Sequence, residues 1–421
     1  MKEQIQNIGS AIDFVSIAEP KFRTNTIEMI FMLPAGKQNN SAYALLEALL
    51  TSTCAAHPSI TAMSRKLSSM YGATLKGSTI KRGDVLQLSL TASVIANRYA
   101  LEGEDLLSEL TELLLGCLFA PNAADGAFSE TDFRIEKQDL LDAIEAEIND
   151  KRAYATDRAV AAAFEGEPFA YPLDGTAEDV ELLTPASVYE SYQKMLREAV
   201  IRIYHVGPEA APKLAGRLQT AFEGVERCPV KLTYRTPSPC KAEPVRVTEP
   251  MAVTQSKLVI VLKGQTPKKY AMNLMNLMFG GSPFSMLFNN VREKMSLCYY
   301  CSSRYVASKQ AVFVSSGVEL ENAEKAHEAI LAQLDAIRRG EFEDEMLENA
   351  KRSAVNSLHG IGDTPFSCIG WSHGRYCEEE EMSIEEIVMA YQGMTRQDMI
   401  DAANALREDT VYLMQQEVEH E

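Results

Sequence analysis

A helix written His-x-x-Glu-His sets two imidazoles on one face, four residues apart, with a carboxylate between them to act on a metal-bound water. The segment from Ser41 to Leu50 keeps that frame without its ligands and reads Ala44-Leu45-Leu46-Glu47-Ala48. The carboxylate, Glu47, is present. Alanine offers a metal no lone pair, so Ala44 and Ala48 cannot hold zinc, and the function has to lie elsewhere.

The other chemistry-bearing residues give no second metal site. The six histidines are His57, His205, His327, His359, His373 and His420. No two lie three to five residues apart, so no helical chelate is written locally. Cys54-Ala55-Ala56-His57 lacks a local partner pair, and structural zinc wants four ligands. Cys298-Tyr299-Tyr300-Cys301 falls on an expected strand, where odd spacing sends the two sulfurs to opposite faces, against chelation or a disulfide. Gly280-Gly281 is no phosphate loop, because no Lys-Ser/Thr follows at the required distance. The acidic run Glu378 to Glu381 leads into an expected helix N-terminus, where negative charge is favourable. Arg292 and Tyr299 lie on either side of an expected helix-to-strand junction. A guanidinium and a phenol converging there could donate to a peptide carbonyl or its oxyanion. They could equally be an arginine favoured by the helix dipole and a tyrosine at the core edge, and the spacing leaves both open.

The elements that position these residues are legible as periods. Leu86, Leu88, Leu90, Ala92 and Val94 alternate with polar residues and predict a half-buried strand. Ile27 to Leu33 and Val200 to Val206 predict two more, and Leu258 to Leu262 a strand buried on both faces. Leu106, Leu107, Leu110, Leu113 and Leu114 have helical spacing. A long helix is expected from Ser129, with Phe133, Leu140, Leu141, Ile144 and Ile148 on one side. Strict βαβ alternation is missing, so the fold class is α+β. The proline-rich stretch from Glu226 to Pro250 is the linker candidate, and the elements on either side of it repeat in order. Tyr43 to Leu50 is echoed by Tyr270 to Phe279, and Phe128 to Phe133 by Phe342 to Leu347. This predicts two homologous domains, 1–228 and 249–421, joined by a linker over 229–248.

The bulk numbers exclude several classes. The formal charge of −18 repels phosphate backbones and anionic lipid, so neither nucleic acid nor membrane is an expected partner. No run of about twenty apolar residues occurs, and residues 1–7 lack the apolar core of a signal peptide. The eight cysteines are scattered, as reduced core thiols are. A cytoplasmic protein is expected.

The stretch Gly280-Gly281-Ser282-Pro283-Phe284-Ser285-Met286-Leu287-Phe288, continuing through Val291-Arg292-Glu293-Lys294 to Ser296-Leu297-Cys298-Tyr299, resembles the second half of the pitrilysin-like, or insulinase-like, M16 peptidases. The usual pattern there is Gly-Gly, Ser-Arg-Leu-Phe, Val-Arg-Glu-Lys and Gly-Leu-Ala-Tyr. Met286 replaces its first Arg and Ser296 its last Gly. The resemblance runs from about Asn25 to Met414. It implies the LuxS/MPP-like metalloprotease fold, two related domains each with a mainly antiparallel sheet packed with helices. It implies a substrate-binding Arg/Tyr pair at Arg292 and Tyr299. It also implies a third zinc ligand on a later helix, whose nearest equivalent is Glu147 within Ile144-Glu145-Ala146-Glu147-Ile148. With both imidazoles missing, no metal and no cofactor is expected.

The family's short members act as paired chains enclosing a chamber, and specialised pairs divide zinc and Arg/Tyr between them. The expected function is therefore a catalytically inactive, substrate-binding subunit in peptide processing. Its partners would be a peptide and a zinc-bearing M16 sister in a heterodimer, or a second copy in a homodimer. Asp150 to Ala155 and Glu165 to Pro168 are similar to a zinc-motif-lacking subgroup associated with modification of elongation factor P. Two alternatives are a stand-alone structural or peptide-binding protein, and a metalloprotease with an unorthodox metal site.

Overall fold

Segments of period two form strands, and segments spaced by three and four form helices, in the computed structural model of the chain. It describes residues 3–266 and 268–417; the first two residues of the polar start, and His420, lie outside the described residues. The strands are β1 (Glu3–Gly9), β2 (Ile12–Ala18), β3 (Thr24–Pro34), β4 (Thr74–Arg82), β5 (Val85–Ile95), the short β6 (Ala123–Ala124) and β7 (Ala127–Phe128), β8 (Val200–Gly207), β9 (Val245–Met251), β10 (Ser256–Lys263), β11 (Tyr300–Val306), β12 (Ala311–Val318) and β13 (Arg407–Gln416). The helices are α1 (Asn40–Ser52), α2 (Ile60–Ser69), α3 (Leu106–Phe119), α4 (Glu130–Ala146), α5 (Lys151–Ala163), α6 (Ala177–Glu181), α7 (Pro185–Glu198), α8 (Pro212–Phe222), α9 (Lys269–Asn276), α10 (Ala323–Arg338), α11 (Asp344–His359), α12 (Pro365–Cys377), α13 (Ile384–Gln392) and α14 (Arg396–Ala405).

The chain divides into two units. The first holds residues 1–146, 171–234 and 361–377; the second holds 147–170, 235–360 and 378–421. Each unit thus takes one helix, α12 or α5, from the other half of the sequence.

The sheet of the first unit runs β1-β2-β8-β3-β5-β4, and that of the second β11-β12-β10-β13-β9. Read from opposite ends, the two orders match: β4, β5, β3, β8 and β2 correspond to β11, β12, β10, β13 and β9. The match extends to direction, because each sheet is antiparallel except for one parallel pair, β2 with β8 and β9 with β13. Strand β1 is the addition in the first unit. The fold is α+β with two sheet-containing domains.

In the first unit, one face of the sheet buries Ile27, Met29, Phe31 and Leu33 of β3 against Leu45, Leu46, Leu49 and Leu50 of α1 and the leucines of α3. The alternate residues Ile30 and Met32 meet Cys368, Ile369 and Cys377 of α12 on the other face, as a strand covered on both sides requires. A buried polar network fixes α12 there. His373 Nδ1 lies 3.1 Å from the Tyr204 hydroxyl and Nε2 lies 3.1 Å from Gln87 Oε1. Arg202 donates from Nε to the same Tyr204 oxygen at 2.9 Å.

In the second unit, α5 packs on the sheet through Ala155, Ala159 and Ala163, small residues four apart that let the helix come close to Val259, Val261 and Phe313. Two lysines hold its C-terminus: Lys241 Nζ donates to Ala162 O and Lys263 Nζ to Ala163 O, each at 2.7 Å. Lys263 is buried and lies 3.3 Å from the buried Asp409, which compensates its charge.

Two details depart from the reading of the sequence. On α4 only Phe133 is fully buried, and Ile148 falls beyond the helix and is exposed. The acidic run Glu378 to Glu381 does precede a helix, but α13 is capped by the reciprocal Ser383 and Glu386 pair. Glu380 instead binds Lys269 at 2.8 Å and accepts from the Tyr270 hydroxyl at 2.6 Å.

Candidate functional site

Helix α1 is anchored by Asn40, whose Oδ1 accepts from Gly36 N at 2.8 Å and whose Nδ2 donates to Pro172 O at 2.6 Å. The helix presents Ala44, buried, and Ala48, half-buried, one turn apart, with Glu47 half-buried between them. The Glu47 carboxylate lies on the backbone of β4 at Gly77. A Cβ at Gly77 would stand 1.7 Å from Glu47 Oε2 and 2.7 Å from the Glu47 carbonyl oxygen, so only glycine permits this approach.

Burial first, then the charges of Asp174 and Glu136, push Glu47 up to about 7. Burial also raises Glu136, and raises Asp174 against the charge of Lys81. Burial is thus the leading cause that holds all three carboxyls above their ordinary range. Among the described residues, no three His, Cys, Asp or Glu side chains are gathered so as to hold a metal ion. The residues do not fit zinc, since the helix turns two methyl groups, not imidazoles, to the place beside the carboxylate.

Glu147, the expected third position, opens the second unit in an exposed 3₁₀ turn, Glu147–Asn149, whereas Glu47 belongs to the first. The carboxyls placed around Glu47 are Glu136 of α4 and Asp174 of the loop before α6. Sequence reasoning missed both. Asp174 lies in a loop without a period, and nothing in the spacing of α4 distinguishes Glu136 from its acidic neighbours.

Arg292 lies in a π-helical segment, Leu287–Lys294, on the helix side of the expected junction. Its Nε donates to the main-chain carbonyl of Tyr299 at 2.9 Å, and its guanidinium lies 4.7 Å from the centre of the Phe288 ring. Tyr299 is 61% exposed, and its hydroxyl donates to Glu319 Oε1 at 2.6 Å. The two residues are neighbours, joined through backbone. Their own tips already have partners.

Strand β11 begins at Tyr300, so Cys298 and Tyr299 lie before the strand and not on it as expected. Ser296, standing where the M16 pattern has Gly, holds φ +52°, and the chain bends before pairing. Beside the bend, Cys298 is half-buried and Cys301 buried, and both are free thiols. Gly280 supports this corner: a Cβ there would meet the Ser303 backbone nitrogen of β11 at 2.8 Å.

Matched sheets and a helix frame carrying Ala44 and Ala48 give a metallopeptidase-like architecture with no metal-ligand cluster among the described residues. The family description "Peptidase M16 inactive domain" matches residues 183–354. The "Probable inactive metalloprotease YmfF" of Bacillus subtilis is 27% identical over 398 residues, covering 94% of this chain and 93% of that one. A conserved protein from Enterococcus faecalis V583 superposes over the whole of both chains with a TM-score of 0.93 at 23% identity. The structure of a peptidase M16 inactive domain from Pseudomonas fluorescens does so with a TM-score of 0.82 at 16% identity. The chain is thus similar to M16 peptidases described as inactive, and its own helix frame carries Ala44 and Ala48 where imidazoles would be needed. Among the described residues, no helix is long and apolar enough to cross a membrane.

Proposed function

We propose that this chain is the substrate-holding, non-catalytic partner of a zinc-bearing M16 subunit, the two closing around a peptide. One observation carries the reading. The alanines at 44 and 48 remove the means of activating water, while Arg292 and Tyr299 stay side by side with the phenol exposed. Strand β11, which follows Tyr299, pairs only with β12 among the described residues, and its other edge can take an extended peptide as an added strand. The compartment would be the cytoplasm, in keeping with the eight free thiols.

The test is co-expression with a neighbouring-gene product that carries an intact His-x-x-Glu-His, followed by peptide cleavage. Arg292→Ala and Tyr299→Phe should each lower turnover by the mixed complex about ten-fold or more, in line with a lost charged or hydroxyl donor, while assembly persists. Unchanged turnover in both variants, or cleavage by this chain alone with stoichiometric zinc, overturns the proposal. A second reading, a peptide-binding or structural protein that aids no catalysis, is favoured by the Tyr299 hydroxyl already being engaged by Glu319. It predicts peptide binding that survives Tyr299→Phe and no gain in any sister's turnover.

A further inference from the structure

We propose that the cleft between the N-terminal end of α5 and the face of β11 is a carboxylate-binding pocket, which takes one acidic group of a peptide laid along the β11 edge. The inference rests on the peptide-holding reading and names the class of peptide held. Tyr300, Ser302 and Arg304 alternate onto one face of β11 and stand opposite Gly317, Ser315 and Phe313 of β12. Helix α5 packs on that face of the sheet, against Phe313. Its N-terminal end leaves a cleft of about 400 Å³, lined by Arg152 and Thr156 of the helix and by Ser302, Arg304, Phe313 and Ser315 of the strands. All of these residues belong to the second unit.

The cleft is positive within a chain of formal charge −18. Arg152 Nη2 donates to the Ser302 hydroxyl at 3.0 Å, and its guanidinium lies 4.3 Å from the centre of the Tyr300 ring. The exposed Arg304 lies 5.9 Å from the centre of the Phe313 ring. Among the described residues, neither guanidinium is in an ion pair, whereas Arg158, further along α5, is paired with Glu249 at 3.0 Å. Lys257 adds another positive charge close by. Its Nζ donates to Gln255 Oε1 at 2.8 Å, and Gln255 and Tyr300 meet over Gly317, where a Cβ would stand 2.4 Å from Gln255 Oε1 and 2.5 Å from a Tyr300 ring carbon. Burial first, and then the charge of Arg152, hold the Lys257 ammonium below its ordinary range. The carboxylates at the cleft, Asp150 and Asp157, are both engaged. Asp150 caps α5, its Oδ1 accepting from Arg152 N at 3.1 Å and Ala153 N at 3.0 Å, and Asp157 has a partner of its own.

A guanidinium held against a ring and a hydroxyl keeps its remaining N–H donors for another acceptor, and a carboxylate accepts such donors in pairs. Arg152 is held in that way, and Arg304 stands two residues along the strand from the Ser302 that holds it. A strand added to the β11 edge sends alternate side chains to the α5 face. An acidic side chain there reaches the cleft, and a lysine there meets like charge. Charges more than about 8 Å away are largely screened at physiological salt, so the cations of the cleft outweigh the net charge of the chain.

The experiment titrates the intact chain into short rhodamine-labelled peptides of alternating threonine and alanine and reads fluorescence anisotropy at physiological salt. Amidated peptides carry glutamate, glutamine or lysine at the centre, and a further glutamine peptide has a free C-terminal carboxylate. The glutamate peptide should bind about five-fold tighter than its glutamine counterpart, and the lysine peptide most weakly. The same gain for the free-terminus peptide instead upholds the pocket and makes the C-terminal carboxylate its ligand. Arg304→Gln should bring the carboxylate and glutamine peptides within about two-fold of each other while the amidated glutamine peptide binds as to wild type. Arg304→Glu should turn the preference to lysine. Both changes fall on an exposed side chain, which the fold does not need. Equal affinity of wild type for all the peptides, a wild-type preference for lysine, or an acid preference that survives both Arg304 variants overturns the pocket and leaves peptide holding intact. Failure of every peptide to bind overturns both.

Discussion

Glu47 sits in a helix that has lost the partners a catalytic carboxylate needs, and the protein bears a consequence. Its folded-state pKa, about 7, lies above the ordinary glutamate value of 4.5 because of burial and the nearby Asp174 and Glu136. Between those values the folded chain binds a proton that the unfolded chain does not. Its contribution to stability therefore falls as pH rises from 4.5 through 7 and is constant above. Glu47→Gln should raise stability at pH 8 by roughly 1–3 kcal/mol and change it little at pH 5, as read by urea unfolding; an equal effect at both values would refute the account. The alanine frame was legible because helical spacing is local and rigid. Glu136 and Asp174 were not, since their meeting with Glu47 depends on tertiary placement.

At the scale of elements, α12 shows how a buried polar network adds to the apolar contacts of Cys368, Ile369 and Cys377 in seating a helix. Its buried His373 is pushed down to about 3, first by burial and then by Arg82 and Arg202, and so stays neutral between Tyr204 and Gln87. A histidine depressed in the folded state contributes stability that is complete above its unfolded value, 6.5, and is lost as pH falls toward 3. His373→Ala should cost about 2–4 kcal/mol at neutral pH, from the cavity and the unpaired Tyr204 and Gln87. It should also flatten the loss of stability between pH 6 and 4 by roughly one proton's worth of slope. Thermal melts across that range are the check, and an unchanged acid limb would count against the role given to His373. The sequence announced β3, β5, β8 and β10 because their alternation or continuous apolarity records burial directly. It did not announce that α12 belongs to the first sheet, because a polar network leaves no periodic trace.

For the whole molecule, the internal repeat was readable in paired motifs, and the strand orders give it geometric form. The exchange of α5 and α12 was not readable, since each helix lies within the sequence half opposite its sheet. A fragment of residues 1–234 lacks α12 and exposes Val15, Ile17, Ile30 and Met32. It should bind a hydrophobic dye and melt without a sharp transition, and a synthetic 361–377 peptide should restore cooperativity. A sharp dye-free melt of the fragment alone would show that α12 is dispensable. The same arrangement matters during synthesis. Residue 234 leaves the ribosome well before residue 377, a delay on the order of ten seconds at about 5–20 residues per second. Throughout that interval a nascent sheet waits with one greasy side bare. Bare apolar surface of that kind is what chaperones shield during synthesis.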